Sequence, residues 1–348
     1  MAVKTKRDGW ADYEITCRKQ KKLTFLDQVL MLIDWTKIER IIRKKYKKFF
    51  NAVGSPAYPS LVMFKILLLQ TWYDLSDPMA EEYLLNWIPA SRFVGLSLAS
   101  DVPDHSTICR FRNELLELGL YDKLFNEINR QLEEKQILVR KGAIVDATVI
   151  ESARRPRKVV ETESIPEDRK DEDDNQNNGG NAPEIHYSDD TDAKWLKKGK
   201  NATYGYKAHI CVDSEDGFIL GGHVTSANVS DMNQLEKVID ESNIPEGSDL
   251  LTDKGYASAN NREMVTEKKL NDKIMRKAVK GKALTEEDIK WNREISKVRY
   301  KVEQVIGILK KHLGFIRMRY LGTVKGEMEF YLKATALNLK KAVLKFAV

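Results

Sequence analysis

At residue 141 the apolar side chains change period. Before it they recur at helical spacing; beyond it come short β-branched runs bounded by turn residues. Ala143-Ile144-Val145 is a short run suited to a buried strand. Residues 209–227, HICVDSEDGFILGGHVTSA, read as two strands around a Ser-Glu-Asp-Gly turn. Leu250-Leu251-Thr252 is a further strand, and helical spacing returns over 232–240, 258–269, 294–312 and 326–346. The second half is therefore mixed α/β.

The first half is helical. Ile38, Ile41, Ile42 and Tyr46 predict a helix from about Trp35 to Phe50, crowded by Arg43, Lys44, Lys45, Lys47 and Lys48. Ser60 is placed to cap LVMFKILLLQTWYDL, which is apolar almost all round and so belongs at the centre of a helical domain. Shorter helices over 79–87 and 90–96 follow, then two more on either side of a Gly-Leu break within 105–135. With 348 residues, about two domains are expected.

Composition narrows the class. No apolar run approaches the ~18 residues of a membrane span, and the N-terminal stretch lacks the apolar core of a secretory signal. Cys17, Cys109 and Cys211 are odd in number and scattered, which excludes a disulfide framework and fits a reducing cytoplasm. Charge is unevenly spread. Residues 1–50 hold 14 Lys and Arg against 6 Asp and Glu, and residues 271–348 hold 19 against 8. Residues 161–192 hold 2 against 12. Two basic ends point to a polyanionic partner. The acidic, Asn/Gly-rich stretch at about 156–194 buries too little apolar surface to offset its ordering entropy and reads as a disordered insert.

Three carboxylates stand out. Asp146 and Asp253 each end an apolar strand run, and Glu303 lies on a late helix beside the Val302, Val305, Ile306 and Leu309 face. Taken singly, each has an ordinary reading: a turn cap for either aspartate, an exposed Arg–Glu–Lys ion pairing for Glu303. Together they supply what two Mg²⁺ ions need for in-line phosphoryl transfer. Three close carboxylates repel, so without metal at least one pKa should rise.

These segments resemble the DDE transposases of bacterial insertion sequences, in the group typified by insertion sequence 5, related to the insertion-sequence-4 group. The likeness rests on PSLVMFKILLLQTWYDLSDPMAEEYL and PDHSTICRFRNEL in the helical half, GAIVDATVIES (142–152), TYGYKAHICVD (203–213), TSANVSD (225–231), LLTDKGYAS (250–258), and the Arg-x3-Glu-x6-Lys run from Arg299 to Lys310. It implies an RNase H-like core, a mixed five-stranded sheet flanked by helices, preceded by an all-α domain. It implies Asp146, Asp253 and Glu303 as catalytic, metal-holding residues for two Mg²⁺ ions, with Mn²⁺ able to substitute. Arg299 and Lys310 would contact a DNA phosphate near the scissile bond. Where the wider signature has Tyr, three positions before Arg299, this chain has Ser296.

The expected organisation is a basic arm at 1–52, a helical DNA-binding domain at 53–138, the catalytic domain at 139–322 and a C-terminal helix at 323–348. Arg110 and Arg112 are candidates for a recognition helix, and Lys44 and Lys45 for phosphate contacts. The expected partners are double-stranded DNA, as terminal inverted repeats and target, and a second copy of the chain in a synaptic complex; no membrane is expected. The expected activity is metal-dependent strand cleavage followed by 3′-OH strand transfer. A non-catalytic DNA-binding regulator and an RNase H-like nuclease for another substrate are the alternatives.

Overall fold

The computed structural model describes residues 9, 10, 13, 23–47, 56–156, 158–161, 184–187, 190–278 and 283–346. Helix α1 (Phe25–Leu32) starts at a capping box in which Thr24 and Asp27 exchange hydrogen bonds, and α2 (Trp35–Lys45) starts at Asp34. Leu26, Val29, Leu32, Ile38 and Ile42 are all buried. Residues 25–46 are thus part of the core and not an arm, because their helically spaced apolar face needs a partner. Helix α2 stops at Lys45, short of the expected Phe50; residues 48–50 lie outside the described ones.

Helix α3 (Ser60–Tyr73) is buried on nearly every side, as its sequence requires. Its N-cap is Pro59; Ser60 is already helical, and its hydroxyl is buried without a partner. Helices α4 (Asp77–Asn86), α5 (Ile88–Val94), α6 (His105–Glu117) and α7 (Tyr121–Glu134) follow, with Ser76 and Asp104 capping α4 and α6.

The chain then enters a mixed sheet. Strand β1 (Gly142–Glu151) is its centre. It runs antiparallel to β5 (Asn201–Asp213), with Asp146 opposite Ile210, and parallel to β7 (Asp249–Thr252), with Val145 opposite Thr252. Strand β8 (Asn271–Ile274) extends the sheet parallel to β7. The outer edge of β5 is shared between β6 (Ile219–Ser226) and the short β4 (Lys194–Lys198). The sheet thus has six strands where five were expected, β4 being the addition. Helices α8 (Leu235–Ser242), α9 (Ala259–Glu267), α10 (Glu286–His312) and α11 (Thr323–Phe346) complete the fold.

Within the acidic stretch, β2 (Lys158–Glu161) and β3 (Glu184–Tyr187) pair antiparallel, with Glu161 opposite Glu184. Residues 162–183, where the disordered insert is expected, lie outside the described residues. The far end of that stretch is packed: Asp190 is buried and accepts hydrogen bonds from Ser152 Oγ (2.8 Å), the Gly322 N–H (3.0 Å) and the Tyr206 hydroxyl. A buried carboxylate needs such donors, so it orders the chain around it.

Helix α11 is the structural hinge-pin between the two halves. It is buried along most of its length and packs on α1, α3, α7, α10 and β6. No helix among the described residues is long and apolar enough to cross a membrane.

Candidate active site

The parallel register fixes the first two carboxylates. Val145 pairs with Thr252, the last residue of β7, so Asp146, next on β1, and Asp253, just past β7, lie close enough for their charges to interact. Asp146 is the fifth residue of a ten-residue strand, not its end as the sequence suggested; β1 continues because β5 pairs with it as far as Glu151. Asp253 does end its strand. It caps the 3₁₀ turn Lys254–Tyr256, accepting the Gly255 N–H at 2.8 Å. A side chain at Gly255 would place Cβ 2.9 Å from the Asp253 carboxylate oxygen, so glycine leaves that turn room to close.

Helix α10 supplies the third group. It is held by a Thr285–Asp288 capping box, carries Glu286, Glu287 and Asp288 at its N-terminal turn, and ends in Lys310, Lys311 and His312, matching its dipole. Asn292, Ile295, Val302, Val305 and Leu309 bury it against the molecule. On this face Arg299 donates to Asp146 Oδ2 at 2.9 Å and stands 3.7 Å from Glu303 Oε1. One guanidinium therefore neutralises both Asp146 and Glu303.

Burial pushes the Asp146 carboxyl above its usual range, Arg299 and the Ala147 N–H oppose this, and the charge of Asp253 adds to the rise. Burial is the main cause, and the repulsion expected of paired carboxylates is the smallest contribution. Glu303 behaves differently: its side chain is 65% exposed, so it leans toward solvent more than toward the sheet. Among the described residues no three acidic, imidazole or thiol groups are gathered closely enough to ligate one ion. The donors still suit a divalent cation in kind: hard oxygen ligands, two of them in mutual repulsion, with an arginine as the present counter-charge.

Sequence reasoning missed Tyr256. It is 1% exposed, its hydroxyl has no hydrogen-bond partner among the described residues, and burial followed by the charges of Asp231, Asp146 and Asp253 holds its proton on. Its position three residues after Asp253 was the available signal.

The remaining candidates are scattered. Lys310 is half-buried two turns along α10 from Glu303. Arg110 is exposed on α6 and donates to Ser106 and Thr107. Lys44 and Lys45 are exposed at the end of α2, with Lys45 Nζ donating to the Leu118 carbonyl at 3.0 Å. Arg112 is not on a DNA-facing surface. It is 3% exposed, donates to Asp77 (3.0 Å) and Gln70 (3.0 Å), and lies over the Tyr320 ring. The buried strand histidines are hydrogen-bonded core residues: His209 to Thr225, His223 to Glu241 and Gln234.

Residues 138–339 match the family model described as Transposase DDE domain, and residues 14–114 match one described as Transposase domain (DUF772). The chain is similar to a protein of Neisseria meningitidis serogroup B named transposase for insertion sequence element IS1106: 38% identical over 236 residues, 67% of this chain and 76% of that one. Among solved structures, the piggyBac transposase synaptic complex with hairpin DNA aligns at 12% identity and TM-score 0.39, over 93% of this chain and 74% of that one. The Mos1 transposase paired-end complex with left transposon end aligns at 8% identity and TM-score 0.21, over 88% and 95%.

Proposed function

This chain belongs to the Transposase DDE domain family and is a DDE-type transposase of a bacterial insertion sequence; on that premise we propose that Asp146, Asp253 and Glu303 are its catalytic carboxylates. The observation that carries this reading is the parallel register that makes Asp146 and Asp253 neighbours, with Arg299 tying Asp146 to Glu303. The reading extends to the insertion-sequence-5 group, to an RNase H-like core, and to a helical DNA-binding domain at 53–138. The strand order β6-β5-β1-β7-β8, antiparallel then parallel, supports the core assignment.

Members of this family use divalent metal ions; we assign Mg²⁺ here, with Mn²⁺ as substitute, held by the three carboxylates. When bound, such ions activate the attacking oxygen and stabilise the leaving one in an in-line displacement. The chain's own groups do the rest. The sheet holds Asp146 and Asp253 close together, and α10 carries Glu303, mostly exposed, one turn from the Arg299 that bonds Asp146. Arg299 balances their charge and, with Lys310, is placed to hold a DNA phosphate. Water opens the phosphodiester at the element end and leaves a 3′-OH, which then attacks target DNA. The two ends of an element must meet, so the working form is a dimer or larger.

The test is cleavage of labelled DNA carrying the terminal repeats that flank the gene, with Mg²⁺ or Mn²⁺, wild type beside Asp253→Asn. Metal-dependent nicks leaving a 3′-OH at the element end, lost in the variant, are expected. Binding of those ends by two equally inert proteins would favour a regulator without catalysis.

A further inference from the structure

A groove of about 630 Å³ begins at Ala257, four residues past Asp253, between the N-terminal end of α9, the chain leaving β8 and the start of α10. Ser258, Arg262, Arg276, Lys277 and Asp288 line it. Its two acidic neighbours are occupied: Asp272 pairs with Arg262, and Asp288 accepts the Thr285 N–H at 3.2 Å within the α10 cap. Arg276 and Lys277 remain on its lining, with Lys273 outside it, and among the described residues no ion pair joins any of the three to a carboxylate. Lys273 and Arg276 both lie over the Trp291 ring, at 4.7 and 5.6 Å from its centre. A ring in that position holds cations at a surface without neutralising them.

The groove is tied rigidly to the site. Asn292 on α10 clamps the backbone of Arg276 from both sides, accepting its N–H at 2.7 Å and donating to its carbonyl at 3.0 Å. Met275, the preceding residue, takes an Arg299 N–H on its sulfur at 3.9 Å. Asn292 and Arg299 are two helical turns apart, ~10 Å along the axis. That is about three nucleotides of a duplex strand, at ~3.4 Å of rise each.

We propose that this groove binds the phosphate backbone of the DNA strand about three nucleotides from the scissile bond. Arg276 and Lys277 are its phosphate contacts, and Trp291 and Asn292 are positioning residues that hold Arg276 toward the groove. This rests on the reading of the carboxylates as the cleavage site, because the distance from them selects which phosphates are touched. A continuous polyanion fits better than a small phosphate ester. The groove is roomy, and its free cations stand together on one wall, the chain leaving β8, so they do not enclose a small ester.

The experiment measures affinity of the full chain for a labelled duplex across a salt series. It compares wild type, Arg276→Ala with Lys277→Ala, and Lys135→Ala with Lys141→Ala; Lys141 immediately precedes the central strand β1 and does not line the groove. Each phosphate contact contributes about 0.9 to the slope of log K against log salt. The groove variant is expected to lose about 1.8 of that slope while the control keeps it, and Arg276→Lys with native Lys277 is expected to keep it too. An unchanged slope in the groove variant, or an equal loss in the control, overturns the proposal. A phosphate-ethylation interference pattern on wild type should weaken about three nucleotides from the nick in the groove variant. If wild type binds DNA but never cleaves, the catalytic reading fails alone, and the slopes still decide the groove.

Discussion

The Arg112 guanidinium and Asp77 carboxylate form a pair that water barely reaches, with side chains 4% and 22% exposed. Gln70 closes the set, donating to Asp77 at 2.7 Å, and the Tyr121 hydroxyl donates to the Arg112 carbonyl at 3.0 Å. Burial pushes the Asp77 carboxyl up, but the hydrogen bonds from Arg112 and Gln70 outweigh it and hold the carboxyl below its ordinary 3.8. Removing one member of such a pair leaves the other charge buried and alone. Arg112→Ala should therefore cost about 3–5 kcal/mol by chemical denaturation. A carboxyl with a depressed folded pKa stabilises above its unfolded value and loses that contribution as pH falls through the folded one. The gap between wild type and Arg112→Ala should accordingly be widest at neutral pH and close below about pH 3.8. A gap that ignores pH would show that the arginine acts through packing. Arg110→Ala, by contrast, should leave stability within about 0.5 kcal/mol, being exposed. The sequence held the clue to this difference. Ile108, Phe111 and Leu115 are buried at helical spacing, and Arg112 falls on their stripe. What periodicity cannot show is that another helix would bring Asp77 to meet it. Asp146 and Asp253 drew notice only together with Glu303, since each alone reads as a turn cap; Tyr256 did not, because an aromatic near a turn has many ordinary uses.

In the sequence α11 is a C-terminal helix with helical spacing over 326–346, and that pattern says no more. Its actual place depends on partners far away in the chain. The Asn338 side chain accepts the Ile219 N–H at 2.9 Å and donates to the Ile219 carbonyl and to Asn129, both at 2.8 Å. Asn129 itself donates to that same carbonyl at 3.0 Å. This latch joins α7, β6 and α11 inside an apolar core, and Trp72 on α3 adds a bond to the Ala336 carbonyl at 2.9 Å. Asn338→Leu keeps the volume but strands the Ile219 N–H and part of the Asn129 amide. Each buried polar group left unpaired costs about 1–3 kcal/mol, so a loss of about 2–4 kcal/mol is expected in urea unfolding. A variant as stable as wild type would mean that the helix is held by apolar contacts alone. Some element starts were readable to within a few residues, as at Ser76, Asp104 and Ser258, but α10 begins at Glu286, eight residues before the expected 294, because its polar first turns carry little apolar spacing. Strand β4 was not, since a pairing of Lys194–Lys198 with the N-terminal part of β5 leaves no hydrophobic signature.

Charge acts over the full chain, and here it sets two expectations against each other. The stretch 162–183 carries seven acidic and two basic side chains, so removing it raises the formal net charge of +6 by five. Glu161 and Glu184 face each other across the β2–β3 ladder, so the cut ends already meet and an Asn-Gly turn can join them. The shortened protein should unfold at the same temperature as wild type and bind DNA more tightly at low salt, the difference fading as salt screens it. An unfolded product would show that the stretch supports the core. The same variant decides a harder question, where divalent cations act. In the absence of metal, Arg299 is the counter-charge to Asp146 and Glu303, and Asp253 repels Asp146. A cation that binds the folded chain stabilises it, by about 1.4 kcal/mol at ten times its dissociation constant. In a chain of this size that is a rise of about 2 °C in Tm. Mg²⁺ or Mn²⁺ should give this rise in wild type, EDTA should reverse it, and Asp146→Asn or Asp253→Asn should abolish it. The acidic stretch could produce the same shift by a different route, since seven carboxylates also attract cations. If the shortened protein keeps the rise and the aspartate variants lose it, the ions sit at the carboxylates of the sheet. If the shortened protein loses it while the aspartate variants keep it, the ions sit on the stretch, and the three carboxylates are no metal site in the DNA-free protein.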